Sequence, residues 1–167
     1  LRVILASGVG VALIGILAAV GISDYPSAFD PNSIRILSTL QYPNTTAAYL
    51  AVISLLGVTL WIREKNPLLK LIYGSCIYLL LLVVLAALSK GAWVILFVGA
   101  FLLLIGMPGL YRLKSLYILG LAGVAALATY GKFITALPVV TQQEPGVALQ
   151  KLLLGFIIVL AGQAVWD

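Results

Sequence analysis

The chain contains no histidine, one cysteine, one methionine and only five acidic residues. Without histidine it lacks the commonest general base near neutral pH and the commonest ligand for transition metals. Cys76 has no partner within the chain, so an internal disulfide is excluded, and its place in an apolar run reads as a small core residue. Asp24, Asp30 and Glu144 do not pair in a way that suggests acid–base work. The sequence shows no metal-ligand cluster, no P-loop and no nucleophile–base pair, and it calls for no cofactor. Charge of either sign is scarce. Charged residues make up 9% of the 167 and hydrophobic ones 63%, far from the balance that keeps a soluble domain of this size in solution. The composition indicates an integral membrane protein. The net charge of +5 is spread out, with no basic run of the kind that binds nucleic acid.

Long apolar stretches fill most of the sequence. Residues 3–22 carry no charge, and twenty residues of helix cross a hydrocarbon core of about 30 Å. Further crossings are expected over 47–62, 71–88, 92–107, 115–131 and 149–166, giving a bundle of about six transmembrane helices. Residues 23–44 hold three prolines and read as a loop outside the membrane. Within that loop Ile34, Leu37 and Leu40 recur every three residues, so a short amphipathic helix lying on the membrane surface is expected. Pro43-Asn44-Thr45-Thr46 is a helix start, with Asn44 or Thr45 placed to cap it. Ser89-Lys90-Gly91 is a very tight turn, and 138–146 is a further loop. Residues Gly8 to Ala12 and Gly120 to Gly123 offer small faces for close helix packing. The chain enters a span directly after Leu1, as expected of a single transmembrane domain over 1–167 cut from a longer multi-pass protein.

Cations set the orientation. Arg2, Arg63, Lys65, Lys70, Arg112 and Lys114 fall on one side of the expected spans, and Arg35, Lys90, Lys132 and Lys151 on the other. The first set carries six of the ten basic residues, clustered in two short turns, so the positive-inside rule places it, and both chain ends, in the cytoplasm. Trp61, Tyr73, Trp93, Tyr111, Tyr117, Tyr130 and Trp166 lie near span ends, as an interfacial aromatic belt requires.

Lys90 sits at a hairpin with almost no loop to lift it from the hydrocarbon boundary. It either snorkels to lipid headgroups or holds an anion, for which a lipid-linked phosphate is suited. Ser89 can add a hydroxyl donor, and Gly91 leaves room for a sharp turn or a ligand. Arg35, on the same side, is either a loop arginine paired with Asp30 or Asp24, or a fork that grips a diphosphate. Asn44 opens a helix whose N-terminus also favours anions. Lys132 and Lys151 read as solvated or snorkelling, with Lys132 retained as a candidate substrate contact.

Two motifs, in their order and on one side, carry a resemblance. Arg35, Thr39 and Tyr42-Pro43-Asn44, followed forty-five residues later by Ser89-Lys90-Gly91-Ala92-Trp93, resemble the O-antigen ligase and polymerase family over roughly residues 30–105. The resemblance implies a glycosyltransferase of the bacterial cytoplasmic (inner) membrane. Such an enzyme moves a glycan from an undecaprenyl-diphosphate carrier to a glycan or lipid acceptor at the outer face. It implies that Arg35 and Lys90 are catalytic, holding the diphosphate; Asn44, Ser89, Gly91 and Lys132 are the candidate substrate contacts. The chain departs from the family by placing lysine at position 90, where arginine is usual, keeping the charge and losing the fork. The family also uses a histidine in a large outer loop between later spans, which this chain lacks. A transporter or flippase fragment for an anionic lipid-linked substrate is the competing expectation, and a purely structural membrane subunit is the third.

Overall fold

Prolines and polar caps set where the helices begin. Proline opens α2 (Pro43–Arg63), α3 (Pro67–Ala86), α6 (Pro138–Thr141) and α7 (Pro145–Trp166). At the first helical position its missing N–H costs nothing and its fixed φ is already helical. Asn66 caps α3, its side-chain oxygen accepting from the Leu68 and Leu69 amides at 2.9 and 3.4 Å. Ser89 caps α4 (Lys90–Gly106), accepting from the Ala92 amide at 3.3 Å. The remaining long helices are α1 (Arg2–Ala19) and α5 (Gly109–Thr135). The structure, a computed structural model, describes residues 1–141 and 144–166. Gln142 and Gln143, within the loop expected at 138–146, and the side chain of Trp166 lie outside the described residues.

Among the described residues five helices, α1, α2, α3, α5 and α7, are long and apolar enough to cross a membrane. The protein is an all-α, multi-pass membrane protein apart from one two-stranded hairpin. The 17-residue α4 is as apolar but shorter, about 25 Å of helix. Residues 109–114, expected as a turn, instead form the opening of α5.

The core runs along α2 and α3. α3 packs on α1, α2, α5 and α7, whereas α4 leans on α2 and touches α5 only lightly. From Ile77 to Ala87 every residue of α3 and its C-cap is buried. Polar side chains tie the helices together where lipid offers no competing partner. The Trp61 indole N–H donates to Gln163 Oε1 at 2.6 Å. The Tyr78 hydroxyl lies 3.1 Å from both Thr129 Oγ1 and the Leu152 carbonyl. Trp61, expected in the interfacial belt, is therefore fully buried. Its ring is claimed by Gln163 on one edge and by the Lys70 ammonium, 4.8 Å from the ring centroid.

The loop before α2 differs most from expectation. No amphipathic helix covers residues 34–40. Phe29–Asp30 (β1) pairs antiparallel with Arg35–Ile36 (β2), and one 3-10 turn follows at Ser38–Leu40. Ile36 and Ser38 point into the bundle with no exposed surface, and the Ser38 hydroxyl donates to the Val11 carbonyl. This docking needs Gly15, because a Cβ there would lie 2.5 Å from Ile36 Cγ2. Burial of Ile36 and Ser38 against α1 overrides the three-residue apolar spacing. Of the two small faces, Gly8 packs directly on Ile53, while a Cβ added at Gly120 or Gly123 would meet nothing within 4 Å.

Candidate functional site

Asn44, at the end of the first motif, and Ser89 to Ala92 of the second meet at one open cavity of about 760 Å³. α2 contributes Asn44 and Thr45 from its first turn, with Tyr49 one turn deeper, and α4 contributes Lys90 and Gly91. Each helix begins at the cavity, so amides of both first turns, which lack intrahelical acceptors, lie at its wall. The positive ends of both helix dipoles sit there as well. Lys90 is exposed at the rim and, among the described residues, is the single charged side chain lining the cavity. Two helix N-termini and one ammonium, without a facing carboxylate, give the cavity a positive lining.

Arg35 stands behind this cavity. Its Nε donates to the Ala87 carbonyl at 2.9 Å and one terminal nitrogen to the Leu88 carbonyl at 3.4 Å. These are the last carbonyls of the α3 end, and Leu88 itself lines the cavity. Arg35 is thus a cationic cap on α3 that fixes the turn leading into Ser89 and Lys90. Two of its five N–H groups are engaged, leaving three for another acceptor. Neither acidic partner weighed from sequence holds it. Asp30 is its cross-strand neighbour, but the Asp30 carboxylate is taken by the Ser33 hydroxyl at 2.5 Å and the Asn32 amide at 3.0 Å. Those bonds, the Ser33 hydroxyl first, with a smaller contribution from the Arg35 charge, hold the Asp30 carboxyl below its ordinary range.

Several of the candidate residues occupy different roles from those expected. Asn44 does not cap α2. Tyr42 is the N-cap residue and makes no side-chain cap bond, and Asn44, second in the helix, faces the cavity. Ser89 is buried, its oxygen engaged by the Ala92 amide, so it shapes the helix start. Gly91 is not what makes the turn sharp. Leu88 does that, in the left-handed region at φ 50°, at a cost of about 1–2 kcal/mol for a residue with a Cβ. A Cβ on Gly91 would meet nothing within 4 Å, so its bareness leaves space at the rim. Lys132 is not brought to the cavity. It is exposed in the last turn of α5, where a cation complements the helix dipole, and α5 barely touches α4.

Tyr49 was not singled out from sequence, and Thr45 only as a possible cap of α2, not as a cavity residue. They lie four residues apart on one face of α2, as do Asn44 and Ala48, and helical periodicity from Asn44 is the signal that points to them. The Tyr49 hydroxyl is 2.9 Å from Ser7 Oγ, which anchors it to α1. Among the described residues no group of three or more potential metal-ligating side chains occurs. No family model, no curated protein and no solved structure matches the chain.

Proposed function

We propose that this chain forms part of a glycosyltransferase of the O-antigen ligase or polymerase type. It spans the bacterial cytoplasmic membrane six times, with both ends inside, and its cavity faces out. The donor is a glycan on undecaprenyl diphosphate, and the acceptor is a glycan or lipid hydroxyl. One observation carries the reading: Asn44, which ends the first motif, and Ser89 to Ala92 of the second, forty-five residues on, line a single cavity that offers an ammonium and two helix N-termini.

The chemistry that this cavity supports is leaving-group stabilisation. As the bond between the anomeric carbon and the diphosphate oxygen breaks, negative charge grows on the diphosphate. Fixed positive groups aimed at that charge lower the barrier without reorganising. Lys90 supplies a full charge, and the first turns of α2 and α4 supply N–H dipoles. Arg35 acts mainly by holding the turn that presents Lys90, with its remaining N–H groups available to the same anion. The acceptor oxygen forms the new bond to the anomeric carbon and must lose its proton to a general base. This chain has no histidine, and none of its described acids lines the cavity. The base is therefore expected from another part of the protein.

The transport reading is less well supported. A lipid path would expose polar groups near mid-span, but the buried Ser54, Thr129 and Gln163 each bond within the bundle. The test is glycan transfer from a lipid-diphosphate donor in membranes carrying the full-length protein at matched levels. Lys90→Gln is expected to lower turnover by about 10² or more, the effect of deleting one preorganised charge-stabilising group. Lys90→Arg is expected to retain it. Wild-type turnover in Lys90→Gln would return Lys90 to a headgroup snorkel.

A further inference from the structure

Because α4 packs on α2 and stands away from α5, a crevice of about 220 Å³ opens between α3, α4 and α5. Its walls are apolar, with Leu85 from α3, Trp93, Phe97 and Ala100 from α4, and Leu119 and Gly123 from α5. Trp93 and Phe97 stack at 5.8 Å between centroids and form the α4 wall. The crevice begins at Trp93, three residues from Lys90, and runs to Ala100, about 10 Å along the helix. The anion cavity takes Lys90, Gly91, Ala92 and Ile95 from the same first turns of α4, and Gly91 leaves open space at it.

We propose that this crevice holds the head-proximal part of a polyprenyl chain whose diphosphate sits at Lys90. The proposal rests on the function proposed above and adds where the carrier's hydrocarbon goes. A lipid diphosphate needs an anion site and an apolar channel close together, and the N-terminal end of α4 borders both cavities. A second apolar crevice, of about 440 Å³, lies between α1, α3 and α7 along Val9, Leu79 and Phe156. It is larger and, like the first crevice, lined by no charged side chain, but none of its walls comes from α4, the helix that carries Lys90, which makes it the internal comparison for adventitious lipid.

The full chain in lipid nanodiscs is exposed to a polyprenyl diphosphate bearing a diazirine close to the head, and adducts are mapped by mass spectrometry. In parallel, protection of Lys90 from an amine-reactive ester by the same probe reports head binding. Adducts are expected on Phe97, Ala100 and Leu119 and are competed away by excess unlabelled polyprenyl diphosphate. Gly123→Leu adds a side chain at the crevice wall, where a Cβ meets nothing within 4 Å, and leucine is the better helix former. It is expected to reduce those adducts at least about fivefold, in line with about 1 kcal/mol of lost apolar contact, while Lys90 stays protected. Gly120→Leu, exposed on the same helix and outside the crevice, is expected to change nothing. Equal labelling of the Val9–Phe156 crevice, or adducts unaffected by Gly123→Leu, with Lys90 still protected, would overturn the crevice alone. Loss of Lys90 protection in the wild type would overturn the function reading, and this inference with it.

Discussion

Two arginines close the ends of two successive helices, and they do so differently. Arg112 reaches back from the first turn of α5 to the carbonyls of Leu104 and Met107 at 2.8 and 3.3 Å, eight and five residues away. Arg35 reaches the carbonyls of Ala87 and Leu88 from a loop fifty-two and fifty-three residues earlier. The turn closed by Arg112 contains Gly109 at φ 41°, where no Cβ resists the left-handed conformation. The turn closed by Arg35 is made by Leu88 at φ 50°. The first is a local device that any short helix connection can carry. The second links the folded loop on α1 to the rim of the cavity lined by Lys90, so the position of Lys90 depends on residues far away in sequence.

Replacing each arginine tests that difference. Arg35→Met removes charge-assisted bonds to half-buried carbonyls, worth about 2–3 kcal/mol in total. Thermal unfolding in detergent is expected to shift down accordingly, and Lys90 is expected to become more reactive toward amine reagents as its turn loosens. Arg112→Met is expected to cost about 0.5 kcal/mol, the value of an exposed cation at a helix end, and to leave Lys90 unchanged. Equal losses in the two variants would mean that both arginines are merely local caps.

Glycine exchange at the turns sharpens the same contrast. Leu88→Gly relieves a left-handed leucine that is half exposed. It is expected to change stability by a gain of about 0.5–1 kcal/mol, the relief offset in part by the entropy of glycine in the unfolded chain. Gly109→Ala is expected to lose about 1 kcal/mol for the opposite reason. A loss in Leu88→Gly would show that the Leu88 side chain holds the rim by packing.

Acid gives the smallest effect. The folded state depresses the Asp30 carboxyl, through Ser33 first and Asn32 second. The unfolded state therefore binds the proton more readily, and this contribution is fully present above about pH 3.9. It is lost as pH falls through the lower, folded value. The Glu64 carboxyl behaves alike, held down by the Asn66 and Lys65 amides and by Arg2, its partner at 3.0 Å. Asp30→Asn is expected to flatten the acid limb of a stability–pH curve slightly and to leave the plateau near neutral pH almost unaltered.

The helices were legible in the sequence because apolar length and Pro43 act locally, although α3 begins at Pro67, four residues before the span expected at 71, and Ser89 caps α4. The loop on α1 was not, because its strands are two residues long. Ser27, Ile34, Ser38 and Gln41 there adopt left-handed backbone without glycine, and of these Ser38 is the one buried against α1. Side of the membrane was enough to group Arg35, Lys90 and Asn44, but it says nothing of position in the membrane plane. That is why Lys132 falls away from the cavity and why the carbonyl partners of Arg35 were not foreseen. The bond between Trp61 and Gln163 spans 102 residues and leaves no local trace.

The most direct measurement is chemical modification of Lys90 in right-side-out and inverted membrane vesicles. A membrane-impermeant amine-reactive ester is applied with and without a polyprenyl diphosphate, and the extent of modification is read by peptide mass spectrometry. Lys90 is expected to react in right-side-out vesicles only, and the lipid diphosphate is expected to protect it, whereas a polyprenyl alcohol is not. Labelling from the cytoplasmic side, or labelling that the diphosphate leaves unchanged, would contradict an outward-facing diphosphate site at the start of α4.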